Sequence, residues 1–235
     1  MKIIPVIDLK DGQVVHAREG KRDQYQALKT HLCQTSDIFD VIQALVTTYH
    51  FDTVYIADLN AITQQGHHRE LIKTVLIHFS ELLFWVDSGY LEPTTSAKFP
   101  ENYLPVLGTE SYRDDNLQEI RAFDNQFILS LDYASLESLG PDSLFLSSAF
   151  WPKNIIIMTL DRVGSQKGPD LAKLISFRTR YPDKNFIAAG GIRHYQDLLD
   201  LQEMGVEQAL IASALHAETI SADQITNIQA KKYPN

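Results

Sequence analysis

Cysteine is almost absent from this chain, because Cys33 is the only one among 235 residues. A lone cysteine cannot form an internal disulfide, and no cysteine cluster is present to hold zinc. Cys33 is interpreted as a partly buried filler in preference to a catalytic thiol. We therefore predict a protein of the reducing cytoplasm.

Long apolar runs and an excess of basic residues are also missing. No apolar run approaches the roughly 20 residues of a membrane-spanning helix. The N-terminal segment reaches Asp8 too soon for a secretion signal. Lys and Arg number 21 against 30 Asp and Glu, a formal net charge of -9, which argues against binding to nucleic acid or to anionic membranes. A phosphorylated small molecule is still compatible, because backbone amides can hold a phosphate.

The sequence contains no GxGxxG, P-loop, HExxH or GxSxG motif. It does contain a series of short apolar runs, most of which end in Asp or Gly. The runs cover residues 3–8, 53–58, 82–87, 103–108, 127–132, 154–160, 185–191 and 208–213. Each run is nearly continuous and rich in β-branched residues, as is typical of strands buried on both faces of a parallel sheet.

Segments with helical spacing separate these predicted strands. The clearest cover residues 37–50, 68–79, 169–181 and 195–204, whereas 92–99 and 139–150 predict short or irregular helices. Eight strand–helix units without a linker predict one (β/α)8 TIM barrel, a single α/β domain over residues 1–235. A doubly wound sheet usually stops at five or six strands.

Four of the predicted strands end in an aspartate, namely Asp8, Asp58, Asp87 and Asp132. The active site of a TIM barrel lies at the C-terminal ends of its strands. A ring of carboxylates there favours proton transfer, metal binding or a cationic substrate, and helix capping is the simpler alternative. Asp8 and Asp132 end the first and fifth strands, which face each other across the barrel, so they are candidates for general base and general acid.

Two loops on the other side of the predicted barrel favour phosphate binding. Gly190 and Gly191 follow the seventh strand, and Ala212 and Ser213 follow the eighth. Phosphates often bind between these two loops of a TIM barrel, although such glycines also serve packing alone. The loop after the first strand carries mixed charge at residues 18–23, which suits either a mobile lid or a solvated tip.

Several segments together resemble the HisA/HisF family, and most closely the HisA-type barrels of histidine biosynthesis. They are residues 3–12, 54–59, 108–109, 129–132, 164–169, 190–192 and 214–215, which span essentially the whole chain. The resemblance implies an Amadori rearrangement of a phosphoribosylformimino-aminoimidazole carboxamide ribonucleotide from an aminoaldose to an aminoketose. It also implies that Asp8 is the general base and Asp132 the general acid. We predict neither a cofactor nor a bound metal.

The predicted site includes further positions around these two carboxylates. For phosphate binding they are Gly164, Gly168, Gly190, Gly191, Ala212 and Ser213, and for other substrate contacts Lys10, Asp58, Asp87, Gly89, Gly108, Thr109 and Arg193. His67 and His68 are adjacent in sequence, so they are interpreted as a solvated helix start.

The chain departs from the family pattern where a second phosphate should bind. HisA-type barrels have Gly-Gly-Gly at the third strand, but here that strand ends in Asp87, followed by Ser88 and Gly89. A carboxylate would repel a phosphate at this position. Residues 133–153 also lack a match to the loop that closes over substrate in the family. These features resemble a divergent HisA/HisF-related branch of methanogens and methylotrophs, associated with one-carbon carriers of the methanopterin and methanofuran type.

The sequence therefore predicts an isomerase or lyase acting on a small, singly phosphorylated sugar or amino-sugar, in the biosynthesis of a one-carbon carrier. The alternatives are the histidine-pathway isomerase and a non-catalytic barrel that binds a phosphorylated ligand. The expected partner is the phosphorylated substrate, with no nucleic acid or membrane, and the oligomeric state is left open.

Overall fold

Eight parallel strands close into a barrel in the computed structural model, which describes residues 1–230. They are β1 (Lys2–Lys10), β2 (Thr53–Asp58), β3 (Leu83–Asp87), β4 (Tyr103–Gly108), β5 (Ile128–Ala134), β6 (Asn154–Thr159), β7 (Asn185–Ala189) and β8 (Gln208–Ile211). Each strand pairs with the next along the chain, and β8 pairs with β1, with Lys2 opposite Gln208. The predicted TIM barrel is confirmed.

Helices connect the strands on the outside of the barrel. They are α1 (Ile38–Tyr49), α2 (Leu59–Ile62), α3 (Arg69–His78), α4 (Pro93–Ser96), α5 (Ser143–Leu146), α6 (Leu171–Arg180), α7 (Tyr195–Glu203), α8 (Ser213–His216) and α9 (Ala222–Ala230). The helices after β3 and β5 are short, as predicted, and β4 is followed only by 3-10 helices. Among the described helices, none has both the length and the apolar character to cross a membrane.

Two separate hydrophobic cores hold the barrel together. Successive side chains of a strand point to opposite faces, so Ile4 and Val6 of β1 belong to the core inside the barrel. Ile7 and Leu9 belong to the core between the barrel and the helices. The same alternation decides which strand-end aspartates point into the barrel mouth.

The segment after β1, residues 11–36, is named loop 1 here and packs across the mouth. Its strands Gln13–His16 and Gln26–Ala27 extend the sheet from β1 in antiparallel pairs. On the far side of the mouth, Glu19 N donates to Val163 O at 2.7 Å. A Cβ on Gly164 would lie 2.4 Å from Ala17 O, so the close approach of loop 1 to the β6 loop requires a glycine there. Loop 1 thus covers part of the C-terminal face.

Candidate active site

A cavity of about 290 Å³ opens at the C-terminal ends of the strands. Its size suits a small molecule. Its lining includes Asp8, Arg22, Tyr25, Tyr55, Asp87, Glu110, Asp132, Gly164, Gly190, Gly191, Arg193, Ala212 and Ser213. The position is the one at which TIM-barrel enzymes carry their active sites.

Three of the four strand-end aspartates line this cavity. The side chains of Asp8, Asp87 and Asp132 lie on the same face of their strands as the core inside the barrel, whereas Asp58 lies on the face that packs against the helices. Asp58 is a buried cap: its carboxylate accepts from His68 N at 2.6 Å and Ala61 N at 3.2 Å, and it contacts His68 Nδ1 at 2.9 Å. The expectation that Asp58 contacts substrate is therefore corrected, and so is the solvated position expected for His68.

Asp132 is held by three residues around it. Its Oδ1 accepts from Ser130 Oγ at 2.6 Å, and its Oδ2 accepts from Glu110 N at 3.2 Å. Thr109 Oγ1 accepts from Asp132 N at 2.9 Å and lies 3.4 Å from Oδ2. Thr109, expected at the substrate, is fully buried and positions this carboxyl group instead. Burial, reinforced by the charge of Glu110, raises the pKa of Asp132 to about 7.

Asp87 lies beside Asp132 with Gly108 between them. A Cβ on Gly108 would stand 2.8 Å from Asp87 Oδ2 and 3.0 Å from Asp132 Oδ2, so the glycine allows the two carboxyl groups to approach. Asp87 Oδ1 accepts from Gly89 N at 2.9 Å. Burial and the charge of Asp132 raise the pKa of Asp87 well above its ordinary value. Neither Gly89 nor Gly108 lines the cavity, so both support Asp87 instead of contacting substrate as expected.

Asp8 reaches the cavity from β1, and its carboxyl group forms no hydrogen bond or ion pair within residues 1–230. Burial raises the pKa of Asp8 to about 7, against the opposing charge of Arg22. A carboxyl group with that pKa is divided between both protonation states near neutral pH, which suits proton transfer. Asp8 and Asp132 thus enter one cavity from opposite strands of the barrel.

Loop 1 contributes an ion pair to the mouth of the cavity. Arg22 forms two hydrogen bonds with Glu110, and the one from Nη1 to Oε2 measures 3.0 Å. Lys10 Nζ donates to Arg22 O at 2.9 Å and does not line the cavity, so Lys10 anchors loop 1 instead of binding substrate as expected. In this structure Arg22 faces the cavity while Lys21 and Asp23 are exposed.

The opposite side of the cavity is formed by the loops after β7 and β8. Gly190 and Gly191 have positive φ of 93° and 84°, and a Cβ on Gly191 would lie 2.3 Å from Gly168 O. The glycines are therefore required by the backbone itself. The N–H groups of Gly191, Ser213 and Ala214 have no hydrogen-bond acceptor in the described part of the chain. Such unpaired amides beside a cavity can receive a phosphate.

Arg193 lines the same side, but its charge is already paired. Its guanidinium donates to Asp197 Oδ1 at 2.8 Å and to Asp197 Oδ2 at 3.1 Å, and it also donates to Gln166 O at 3.0 Å. Gly168 lies outside the lining and makes room for this side chain, since its Cβ would stand 2.9 Å from Arg193 Nη2. Any phosphate here would rely mainly on backbone amides.

Four cavity residues were missed by the sequence interpretation or left undecided in it: Arg22, Tyr25, Tyr55 and Glu110. His16 was missed as well, and its Nε2 lies 3.2 Å from Ser213 Oγ. Glu110 carried a usable signal, because it directly follows the Gly108–Thr109 pair. Tyr55 carried none, because β2 is apolar on both faces and its alternation is invisible in sequence.

Replacing Asp87 by Asn is expected to stabilise the protein, and more so as the pH rises. Because its folded-state pKa is raised, Asp87 keeps its proton in the folded protein at pH values where the unfolded chain has lost it. The wild-type protein therefore loses stability from about pH 4 upwards, and the Asp87→Asn variant does not. We expect a gain at pH 8 that exceeds the gain at pH 5 by at least about 1.4 kcal/mol, one pKa unit.

Urea unfolding at both pH values measures this difference. Asp58→Asn is the matched control and is expected to destabilise, because it disturbs a carboxylate that accepts several hydrogen bonds. A gain for Asp87→Asn that is the same at pH 5 and pH 8 would contradict the burial of an ionisable carboxyl group.

Comparisons with known proteins agree with this architecture. The family model described as "Histidine biosynthesis protein" matches residues 2–134 and 149–221. An uncharacterized protein of Methanocaldococcus jannaschii is 31% identical over 97% of this chain and 98% of its own length. Relatives from Streptococcus sanguinis and Nitrosopumilus maritimus, each 24% identical, cover 96% and 95% of this chain and 97% and 98% of their own lengths. Both are named phosphoribosyl imidazole-4-carboxamide isomerases. The chain belongs to the histidine biosynthesis protein family of HisA/HisF barrels.

Proposed function

We propose that this protein is an isomerase or lyase that acts on a small, singly phosphorylated sugar or amino-sugar. The observation that carries the proposal is the pair Asp8 and Asp132, which enter one cavity from β1 and β5 and each have a pKa raised to about 7. Two such carboxyl groups on opposite sides of a substrate provide a base and an acid at neutral pH. The isomerase names of two relatives support the same class of chemistry.

The proposed reaction on an aminoaldose phosphate uses the two groups in sequence. Asp132, protonated, gives its proton to the ring oxygen, and the bond from that oxygen to C1 breaks to leave an iminium at C1. Asp8, ionised, then takes the proton from C2, and the electron pair of that C–H bond neutralises the iminium. The resulting enaminol tautomerises to the aminoketose, so the net change moves hydrogen without an oxidant. Ser130 and Thr109 hold Asp132 in place for this role.

One phosphate is proposed because only one side of the cavity is suited to an anion. The amides of Gly191, Ser213 and Ala214 are unpaired on that side. The opposite side carries Asp87 and Asp132, and among residues 1–230 the one cation that lines it, Arg22, is already paired with Glu110. A second phosphate there would meet carboxylates without a free counterion.

Ser213→Asp is expected to weaken binding of ribose 5-phosphate at least tenfold, because the new carboxylate would stand where the phosphate binds. Calorimetric titration measures the affinity, and the same titration with inorganic phosphate should show a similar loss. Ser221→Asp, which changes a serine hydrogen-bonded to Gln224, is the control and should bind like wild type. Equal affinity in Ser213→Asp and wild type would place the phosphate elsewhere.

Exchange of hydrogen with solvent tests the catalytic part of the proposal. Wild-type protein would be incubated in D₂O with ribose 5-phosphate, glucosamine 6-phosphate or N-phenylribosylamine 5-phosphate. We expect deuterium to enter C2 of at least one probe, as followed by proton NMR. If all three bind and none exchanges, the non-catalytic phosphate-binding barrel becomes the better proposal.

A second candidate is the isomerase reaction of the named relatives, whose name includes two phosphoribosyl groups. It is favoured by the similarity along almost the full chain and opposed by the carboxylates at the second phosphate position. Growth of a histidine auxotroph lacking that isomerase, on expression of this protein, separates the two candidates. The relatives reported above carry no name from one-carbon-carrier biosynthesis, so that setting stays a prediction.

A further inference from the structure

The end of the cavity opposite the loops after β7 and β8 groups several carboxyl groups without a free cation beside them. This region, named the carboxylate end, is formed by Asp87, Glu110 and Asp132 with the phenol of Tyr55. Arg22 is bound by both oxygens of Glu110, so its charge is used within that pair. Asp87 and Asp132 form no ion pair within residues 1–230, and neither does Asp8 on the neighbouring side. The site is therefore short of positive charge.

Tyr55 gives an independent sign that a polar ligand group belongs here. Its side chain comes from the inner face of β2, is only 3% exposed and lines the cavity. Its hydroxyl has no hydrogen-bond partner in the described part of the chain. Because Tyr55 lines the cavity, a polar group of a ligand can pair with this hydroxyl. Asp87 Oδ2 is likewise without a hydrogen-bond donor, since only Oδ1 accepts one from Gly89.

The arrangement of these acceptors suits a protonated nitrogen. Asp87 Oδ2 and Asp132 Oδ2 both lie within 3.0 Å of the point where a Cβ of Gly108 would stand, so these two acceptor oxygens converge on one point. An ammonium offers three N–H donors and one positive charge, which matches two carboxylates and a phenol oxygen. A sugar hydroxyl would satisfy the hydrogen bonds but would leave the charge uncompensated.

A metal ion is the other way to balance carboxylates, and the geometry favours it less. Within residues 1–230, no three or more His, Cys, Asp or Glu side chains are grouped so that they could hold a metal ion. Asp132 Oδ1 is also occupied by the short hydrogen bond from Ser130, which leaves it fewer lone pairs for coordination.

We propose that the carboxylate end binds a protonated amine of the substrate, so that the substrate is a phosphomonoester with an amino group remote from its phosphate. The proposal rests on the single-phosphate function above, and it adds how the protein recognises the end of the substrate that is remote from the phosphate. It also gives Asp87 a role, since a carboxylate at this position both attracts an ammonium and rejects a second phosphate.

Binding of the amine is expected to release protons. The charged and titratable groups that interact with Asp87 are Asp132, Glu110, Arg22, Tyr55, Tyr103 and Tyr112. Burial raises the pKa of Asp87 and of Asp132, the charge of Asp132 raises that of Asp87 further, and the charge of Glu110 raises that of Asp132. A cation beside them lowers both values again. Near pH 7 the incoming ammonium should therefore displace up to about one proton into the buffer.

Calorimetry with two matched ligand series tests the proposal. The probes are ω-aminoalkyl phosphates with three to six carbons and ω-hydroxyalkyl phosphates of the same lengths, which together scan the distance from the phosphate loops. At the best length we expect the amine to bind at least tenfold more tightly than the alcohol. Titration in two buffers of different ionisation enthalpy should show proton release for the amine and none for the alcohol.

Two variants locate the effect. Asp87→Asn should remove the preference for the amine, whereas Asp52→Asn, directly before β2 at the other face of the barrel, should behave like wild type. Thermal unfolding confirms that each variant is folded. Equal binding of amine and alcohol at every length, or a preference that survives Asp87→Asn, would overturn the proposal.

The outcomes distinguish a failure of the amine proposal from a failure of the proposed single-phosphate function. If alcohols and amines bind equally and Ser213→Asp abolishes both, the single-phosphate function stands and the amine proposal fails. If no phosphomonoester binds, the function itself fails. Mg²⁺ alone, titrated as a further probe, should give no heat that depends on Asp87, and a heat that does would assign the carboxylate end to a metal.

Discussion

Asp8→Asn is expected to lower the rate of deuterium entry at C2 by at least about 100-fold, about 3 kcal/mol in the barrier. Asparagine keeps the shape of the side chain but cannot accept the proton that Asp8 takes. Ligand binding should be nearly unchanged, because Asp8 forms no hydrogen bond that holds the site together. The measurement is the exchange rate by NMR with whichever probe wild type exchanges, beside its calorimetric affinity.

Asp23→Asn is the matched control for this experiment, since Asp23 is an exposed aspartate of loop 1. It should exchange like wild type. In wild type the rate should rise with pH as Asp8 ionises and fall again as Asp132 loses its proton, both near pH 7. An Asp8→Asn protein that exchanges at the wild-type rate would show that the base is another group.

Asp87→Gly is expected to increase the affinity for fructose 1,6-bisphosphate by up to about 10³-fold at pH 8. At an effective dielectric constant of about 20, an ionised carboxylate about 4 Å from a phosphate charge costs about 4 kcal/mol. This is the upper limit for Asp87, because its raised pKa favours the protonated form. At this pH Asp132 is ionised and adds to the repulsion. Wild type should therefore bind fructose 6-phosphate at least as well as the bisphosphate, and calorimetry compares the two.

Asp87→Asn distinguishes the effect of the lost charge from the effect of the lost side-chain volume. It removes the charge while keeping a side chain, so it should gain part of the affinity that Asp87→Gly gains. Fructose 6-phosphate should bind alike in all three proteins, because its phosphate lies at the β7–β8 loops. A wild-type protein that strongly prefers the bisphosphate, with no change in Asp87→Gly, would mean that the second phosphate site is intact.

The order of the elements was determined by the sequence, because it depends on local signals. Eight apolar runs of strand length, most of them separated by segments of helical spacing, predict a TIM barrel. The sequence also placed the glycine-containing loop after β7, the loop after β8 and the strand-end aspartates at the C-terminal face, since that face is common to all parallel strands of a barrel. The short helices after β3 and β5 were also predicted, because the apolar residues of those segments have irregular spacing.

The direction of each side chain was decided only by the tertiary structure. A strand buried on both faces is apolar on both, so its sequence does not reveal which residues point inward. Asp58 and Asp87 end neighbouring strands in the same way, yet the phase of β2 turns Asp58 outward to His68 while Asp87 points into the cavity.

Contacts between distant segments were equally hidden from the sequence. The Arg22–Glu110 pair joins residues 88 positions apart, and Gly108 gained its role only when β3 and β5 brought Asp87 and Asp132 to its two sides. The closure of the barrel creates these neighbours, so no local pattern encodes them.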